Sequence, residues 1–64
     1  MEKANKRIRD ELKKHGFYLW QLADIMQISE SHMYVKIRRE MPEDMQNSII
    51  DLIRQEAEKE RKEE

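Results

Sequence analysis

The side chains with which this chain can act on another molecule are cations and hydroxyls rather than nucleophiles. Lys36, Arg38 and Arg39 crowd one short stretch, and Ser29, Ser31 and Tyr34 lie just before them. Guanidinium and ammonium groups hold phosphates or carboxylates, and hydroxyls both donate and accept hydrogen bonds. Covalent and metal chemistry find little footing. There is no cysteine, which removes thiolate nucleophiles, disulfides and Cys-ligated metals. His15 and His32 lack a metal-ligand spacing, and neither belongs to an HExxH arrangement. With one glycine there is no Gly-rich phosphate loop, and no dense carboxylate pair sits on an apolar stripe. Catalysis requires a partnered base or nucleophile in a cleft. The expectation is therefore a binding protein and not an enzyme, with no cofactor, no metal and no small-molecule ligand. The five methionines read as adaptable core filling rather than as a redox or metal feature.

The cations are unevenly placed. The formal charge is −1, yet residues 1–39 hold nine Lys/Arg against five Asp/Glu, a net of +4, and residues 40–64 hold four against nine, a net of −5. Such asymmetry points to nucleic-acid contact from the basic half. A normally solvated surface with an acidic tail accounts for the same split, and charge alone leaves both readings open.

These groups must be positioned by a small scaffold. The 64 residues make one domain, here 1–57, followed by a charged C-terminal tail, 58–64. A chain this short buries only about 60% of its unfolded surface, so it depends on well-formed helix packing or on a partner subunit. One Gly and one Pro leave little turn material for a sheet and favour helices with short joints. Apolar runs of two or three residues predict no membrane span and no secretory signal, and the reducing cytoplasm is the expected location.

Hydrophobic spacing predicts an all-α fold, a compact four-helix domain with helices at about 3–15, 18–27, 30–40 and 42–58. Ala4, Ile8, Leu12 and His15 share one face of the first helix, and Gly16 stands one step past its end, where a left-handed cap is wanted. Leu19, Leu22, Ala23 and Met26 form the stripe of the second helix, with Phe17 plugging the corner before it. That helix has no Ser, Thr, Asp or Asn at its start. Ser29 is placed to cap the third helix, with Glu30 in its first turn as the helix dipole prefers, and Met33 and Ile37 face inward. Pro42 opens the fourth helix, followed by Glu43 and Asp44. Met45, Ile49, Leu52 and Ile53 make its apolar stripe, and Ile50 and Ala57 widen the edge. Beyond Ala57 the run EKERKEE has nothing to bury, and either continues as a solvated helix or frays.

The middle of the chain carries the most informative pattern. Two short amphipathic helices meet at Gln27-Ile28-Ser29, and the small Ala23 lies where a second helix must approach closely. Leu22, Met26, Ile28 and Met33 would fill the angle between them. This is a helix-turn-helix pattern, a bent pair whose second helix can be presented to a major groove. The stretch LWQLADIMQISESHMYVKIRRE resembles the phage-repressor-like helix-turn-helix family, the group of the lambda and Cro repressors. The family's apolar-Ala pair, apolar-Gly-apolar turn, Ser and inward apolar residue fall on Leu22-Ala23, Met26-Gln27-Ile28, Ser29 and Met33. Gln27 stands where the family usually has Gly, so a left-handed backbone there costs about 1 kcal/mol or more. Lys36 stands where an apolar residue is often found, and Ile37 takes over the inward position. Small DNA-binding proteins of phages and mobile elements look similar to this version.

The resemblance implies sequence-specific binding of double-stranded DNA by a small transcriptional regulator in a prokaryotic cell or its nucleoid. It implies that the third helix reads the major groove. On this chain it places Ser29, Glu30, Ser31, Tyr34, Val35 and Arg38 against DNA. Ser29 and Ser31 would bond phosphate or base edges, Tyr34 phosphate, and Val35 a thymine methyl. Arg38 would pair with guanine or phosphate, Arg39 adds charge beside it, and Gln21 on the second helix would contact phosphate. Each has a plainer role beside this one. Ser29 is an N-cap, Glu30 a dipole partner, Tyr34 a core edge, Gln21 an exposed polar residue, and Arg38 and Arg39 a solvated helix end. Lys6, Arg9, Lys13 and Lys14 serve a phosphate or simply a solvated face. Trp20 is expected at the core edge, with a partner surface or the DNA backbone as alternatives. A palindromic site would call for a homodimer, for which helix 42–58 is the candidate element. The alternatives are a protein-interaction module on the same scaffold, its acidic half suited to a basic partner, and an architectural or excision factor that bends DNA.

Overall fold

In the computed structural model, which describes residues 4–62, four helices follow in order: α1 (Lys6–His15), α2 (Leu19–Ile25), α3 (Glu30–Ile37) and α4 (Glu43–Lys62). The fold is all-α, a compact four-helix domain, with no strand among the described residues. α1 packs on α4, and α2 lies against both α3 and α4. The core is made where their stripes meet: Ile8 and Leu12 of α1, Leu22 and Ala23 of α2, Met33 and Ile37 of α3, and Ile49, Ile50 and Ile53 of α4, with Met41 from the connection. Phe17, Leu19, Met26 and Ile28 close its edges.

The elements differ from the periodicity reading at their ends. α1 starts at Lys6 because Asn5 takes a left-handed backbone, φ 59°, before it; the expected start at residue 3 lies outside the described residues. Gly16 is left-handed as expected, φ 71°. Its N–H donates to the Lys13 carbonyl (3.1 Å) and the Phe17 N–H to that of Leu12 (2.9 Å), the double bond pattern of a Schellman cap. α2 is shorter than 18–27, because Tyr18 is extended and Gln27 has turned left-handed. α3 ends at Ile37 rather than near 40. Pro42 precedes α4 rather than opening it, its carbonyl accepting from the Gln46 N–H at 3.0 Å. α4 runs through Lys62 instead of stopping at 58, with residues 58–61 exposed.

Two apolar side chains of α4 are not where the stripe put them. Met45 and Leu52 are exposed, and Ile50 is buried in their place. Because α4 faces both α1 and α2, its inner arc is rotated toward Ile50, which turns the other edge outward.

A polar link ties α4 to α1. Arg54 Nε donates to Glu11 Oε2 at 3.1 Å, and His15 Nε2 lies 3.0 Å from the same oxygen. The Arg54 hydrogen bond holds the buried Glu11 carboxyl below its ordinary value, outweighing the desolvation that would raise it, with His15 adding to the effect. Its sign follows from linkage: a depressed folded-state value stabilises the fold wherever the unfolded carboxylate is ionised. Stability should therefore hold above about pH 4.3, the ordinary glutamate value, and fall as pH drops below it. Urea titrations at neutral and acid pH would show a lower midpoint in acid; Glu11→Gln should flatten that dependence.

Candidate nucleic-acid interface

The α2–α3 joint is built by a second Schellman cap. The Gln27 N–H donates to the Asp24 carbonyl (3.1 Å), the Ile28 N–H to that of Ala23 (3.0 Å), and Gln27 has φ 59°. This is the bond pattern seen after α1, with Gln27 in the role of Gly16 and Ile28 in the role of Phe17. The small Ala23, buried, lets the chain fold back closely at this point. Ser29 then caps α3, its Oγ accepting from the His32 N–H at 3.1 Å, and Glu30 stands in the first turn.

The left-handed position supplies a prediction. Glycine reaches φ > 0 without a Cβ clash, whereas an ordinary residue loses about 1 kcal/mol there. Gln27→Gly should raise stability by about 1 kcal/mol, and the melting temperature of a domain this size by about 4–8 °C. Gly16→Ala should do the reverse through the backbone alone, since a Cβ added there meets nothing within 4 Å. Thermal melts of both variants check the pair.

With Met33 and Ile37 buried, the opposite side of α3 carries Ser31, Tyr34 and Val35, all exposed, Tyr34 at 50% and Val35 at 63%. Arg38 completes the same stripe at spacing i, i+3, i+4, i+7. The fold thus brings a hydroxyl, a phenol, a small apolar side chain and a guanidinium onto one outward face.

Arg38 and Arg39 were expected inside the helix, but they lie past its end. Their N–H groups bond loosely to the Val35 and Lys36 carbonyls, each at 3.4 Å, and the reason is tertiary. Asn5 Nδ2 donates to the Ile37 carbonyl (3.0 Å) and to the Arg39 carbonyl (2.7 Å), and Asn5 Oδ1 accepts from the Met41 N–H (2.8 Å). Arg9 Nη2 also reaches the Ile37 carbonyl, at 3.4 Å. The last carbonyls of α3 are claimed from outside, so the chain leaves the helix there. Glu40 is bound into the same knot: the Asn5 N–H donates to its Oε1 and Gln46 Nε2 to its Oε2, both at 2.7 Å. The Asn5 N–H and then the Gln46 amide hold its carboxyl below the ordinary range. Arg38 and Arg39 remain exposed, on a backbone pinned at Arg39.

Gln21 does not present its whole carboxamide to a ligand. Its Oε1 accepts from the Tyr18 N–H at 2.6 Å, the side-chain half of a capping box. A Gln three residues after the first extended residue is the signal for that role in the sequence. Of the other cations, Lys6 pairs with Asp10 at 2.8 Å, Arg7 Nη2 donates to Asn47, and Arg9 Nε donates to the Ala4 carbonyl; Lys13 and Lys14 are exposed. Trp20, expected at the core edge, is 51% exposed, because the buried arc of α2 is filled by Leu22 and Ala23. Sequence reasoning missed Asn5, whose partners lie 32 to 36 residues away. Its small hint is that Asn tolerates the left-handed region better than most residues.

No protein-family model, curated protein or solved structure matches this chain. Among the described residues no helix is long and apolar enough to cross a membrane.

Proposed function

We propose that this protein binds double-stranded DNA sequence-specifically, with α3 in the major groove, as a small transcriptional regulator of the phage-repressor-like kind found in phages and mobile elements. What carries the reading is the left-handed joint at Gln27, φ 59°. It falls on the residue that stands in the family's glycine slot, and it bends the chain between α2 and α3 while the Ser31-Tyr34-Val35 face stays exposed. Arg38 and Arg39 supply phosphate contacts that set register, while the start and outer face of α3 meet base edges. Ser29 is committed to capping, so Ser31, Tyr34 and Val35 carry the base-facing role. Gln21 contributes through its amide nitrogen alone.

A single module of this size covers limited DNA, which favours two copies on a palindromic site. Ile50 is spent in the core and Ala57 is half-buried, so they are not the dimer contact. Met45 and Leu52, seven apart on α4 and exposed, are the side chains a second copy would cover. The cytoplasm of a prokaryotic cell is the location this reading implies.

Selection of bound fragments from a random duplex pool tests the proposal. The expected result is an enriched motif with two-fold symmetry, bound with an affinity that falls as salt rises. A pool that stays random at low salt overturns the reading.

A further inference from the structure

Trp20 stands exposed on α2 as a ridge between two hollows. One, of about 330 Å³, is lined by Ala23, Asp24, Ile28 and Glu30. The other, of about 250 Å³, lies between α2 and α4 and has Phe17 and Ile25 among its walls, with Asp24, Glu56 and Glu60 contributing carboxyl groups. Neither hollow is lined by a lysine or arginine, in a chain that has thirteen of them. Among the described residues, no ion pair engages Asp24, Glu56 or Glu60. An indole face attracts cations through its quadrupole, and exposed carboxylates beside it add charge of the complementary sign. The same carboxylates repel phosphate, so this face does not extend the nucleic-acid surface.

We propose that the α2–α4 hollow is a docking site for a basic segment of a partner protein, with an arginine side chain lying flat on Trp20 and its guanidinium among Asp24, Glu56 and Glu60. Charge complementarity selects the occupant: an apolar floor for the arginine stem, an aromatic face, and three carboxylates for the head. Arginine suits the site better than lysine because its planar group stacks on an aromatic ring while its N–H donors, lying in its own plane, stay free to hydrogen-bond at the edges. The site does not depend on DNA binding and stands or falls separately from it.

The test uses the full chain and a fluorescein-labelled peptide of alternating arginine and glycine, with a glutamate-for-arginine peptide as control. Fluorescence anisotropy should rise to saturation with the arginine peptide at about 0.1 M salt and be lost at about 1 M, where the Debye length shrinks to about 3 Å. The unlabelled peptide should change the emission of Trp20, the single tryptophan. Glu56→Gln with Glu60→Gln should weaken binding about tenfold, and Trp20→Leu, read by anisotropy, between about twofold and thirtyfold. Glu43→Gln with Asp51→Asn, which alter α4 away from the hollow, should leave binding within about twofold. Circular dichroism confirms that each variant folds. No saturation, or an equal loss from the two double variants, overturns the proposal. So does sedimentation showing that copies of the chain associate through Trp20 and exclude the peptide.

Discussion

Asn5→Ala should leave most of the chain unfolded at temperatures where the parent is folded. The Asn5 side chain is fully buried and makes three hydrogen bonds to three backbone groups: the carbonyls of Ile37 and Arg39 and the N–H of Met41. Removing it strands the Arg39 carbonyl and the Met41 N–H in or near the core and leaves the Ile37 carbonyl only the long contact from Arg9 (3.4 Å), at about 1–3 kcal/mol for each group that neither water nor another donor reaches. Alanine is also a poor occupant of φ 59°, adding about 1 kcal/mol. The sum, about 3–5 kcal/mol after partial hydration of the less buried groups, is comparable with the whole stability of a domain of this size, about 3–10 kcal/mol. Asn5→Gly separates the two causes. It keeps the backbone conformation and loses the hydrogen bonds, so it should be more stable than Asn5→Ala by about 1 kcal/mol and still far below the parent. Urea titrations followed by circular dichroism measure all three; an Asn5→Ala midpoint equal to the parent's would show that the knot contributes nothing.

The same residue marks where sequence reading stops. Local signals announce themselves locally. Ile8 and Leu12, Met33 and Ile37, and Ile49 and Ile53 recur four residues apart and are all buried, as are Leu22 and Ala23 in the stripe of α2. Gly16 sits where a helix must end, and Ser29 where one must begin. The end of α3 is decided by Asn5 and Arg9, which meet it across 28 to 34 residues of chain. No window along the sequence holds both sides of those bonds, and Arg38 and Arg39 looked like one more helical turn. Trp20 failed for a different reason. Its apolar area argued for burial, but burial depends on what the facing helix brings, and α4 turns its Ile49, Ile50 and Ile53 toward the core while Glu56 and Glu60 border Trp20. The outward face of α3 was legible because it is the complement of Met33 and Ile37: once two residues four apart are fixed inside, Ser31, Tyr34, Val35 and Arg38 have nowhere else to go.

Replacing Arg38 and Arg39 together by Ala should weaken binding to every duplex by about the same factor. Both side chains are exposed and, among the described residues, neither joins the core or an ion pair, so stability should move by no more than about 0.5 kcal/mol. If each holds one phosphate, the slope of log affinity against log salt should flatten by about 1.8. Each charged hydrogen bond is worth about 1.5–3 kcal/mol, so the pair accounts for a loss of about a hundredfold or more at low salt. Val35→Ala should behave oppositely. It removes two methyl-sized contacts and no charge, so the salt slope stays, and the preference at one base position relaxes by about 1 kcal/mol or less. The contrast separates holding from reading on one helix and its following turn. Asn5 enters here as well, since its amide fixes the carbonyl of Arg39 at 2.7 Å and so sets where the arginine pair stands relative to Val35. An arginine-pair variant that binds DNA with unchanged affinity and slope would show that Arg38 and Arg39 hold no phosphate.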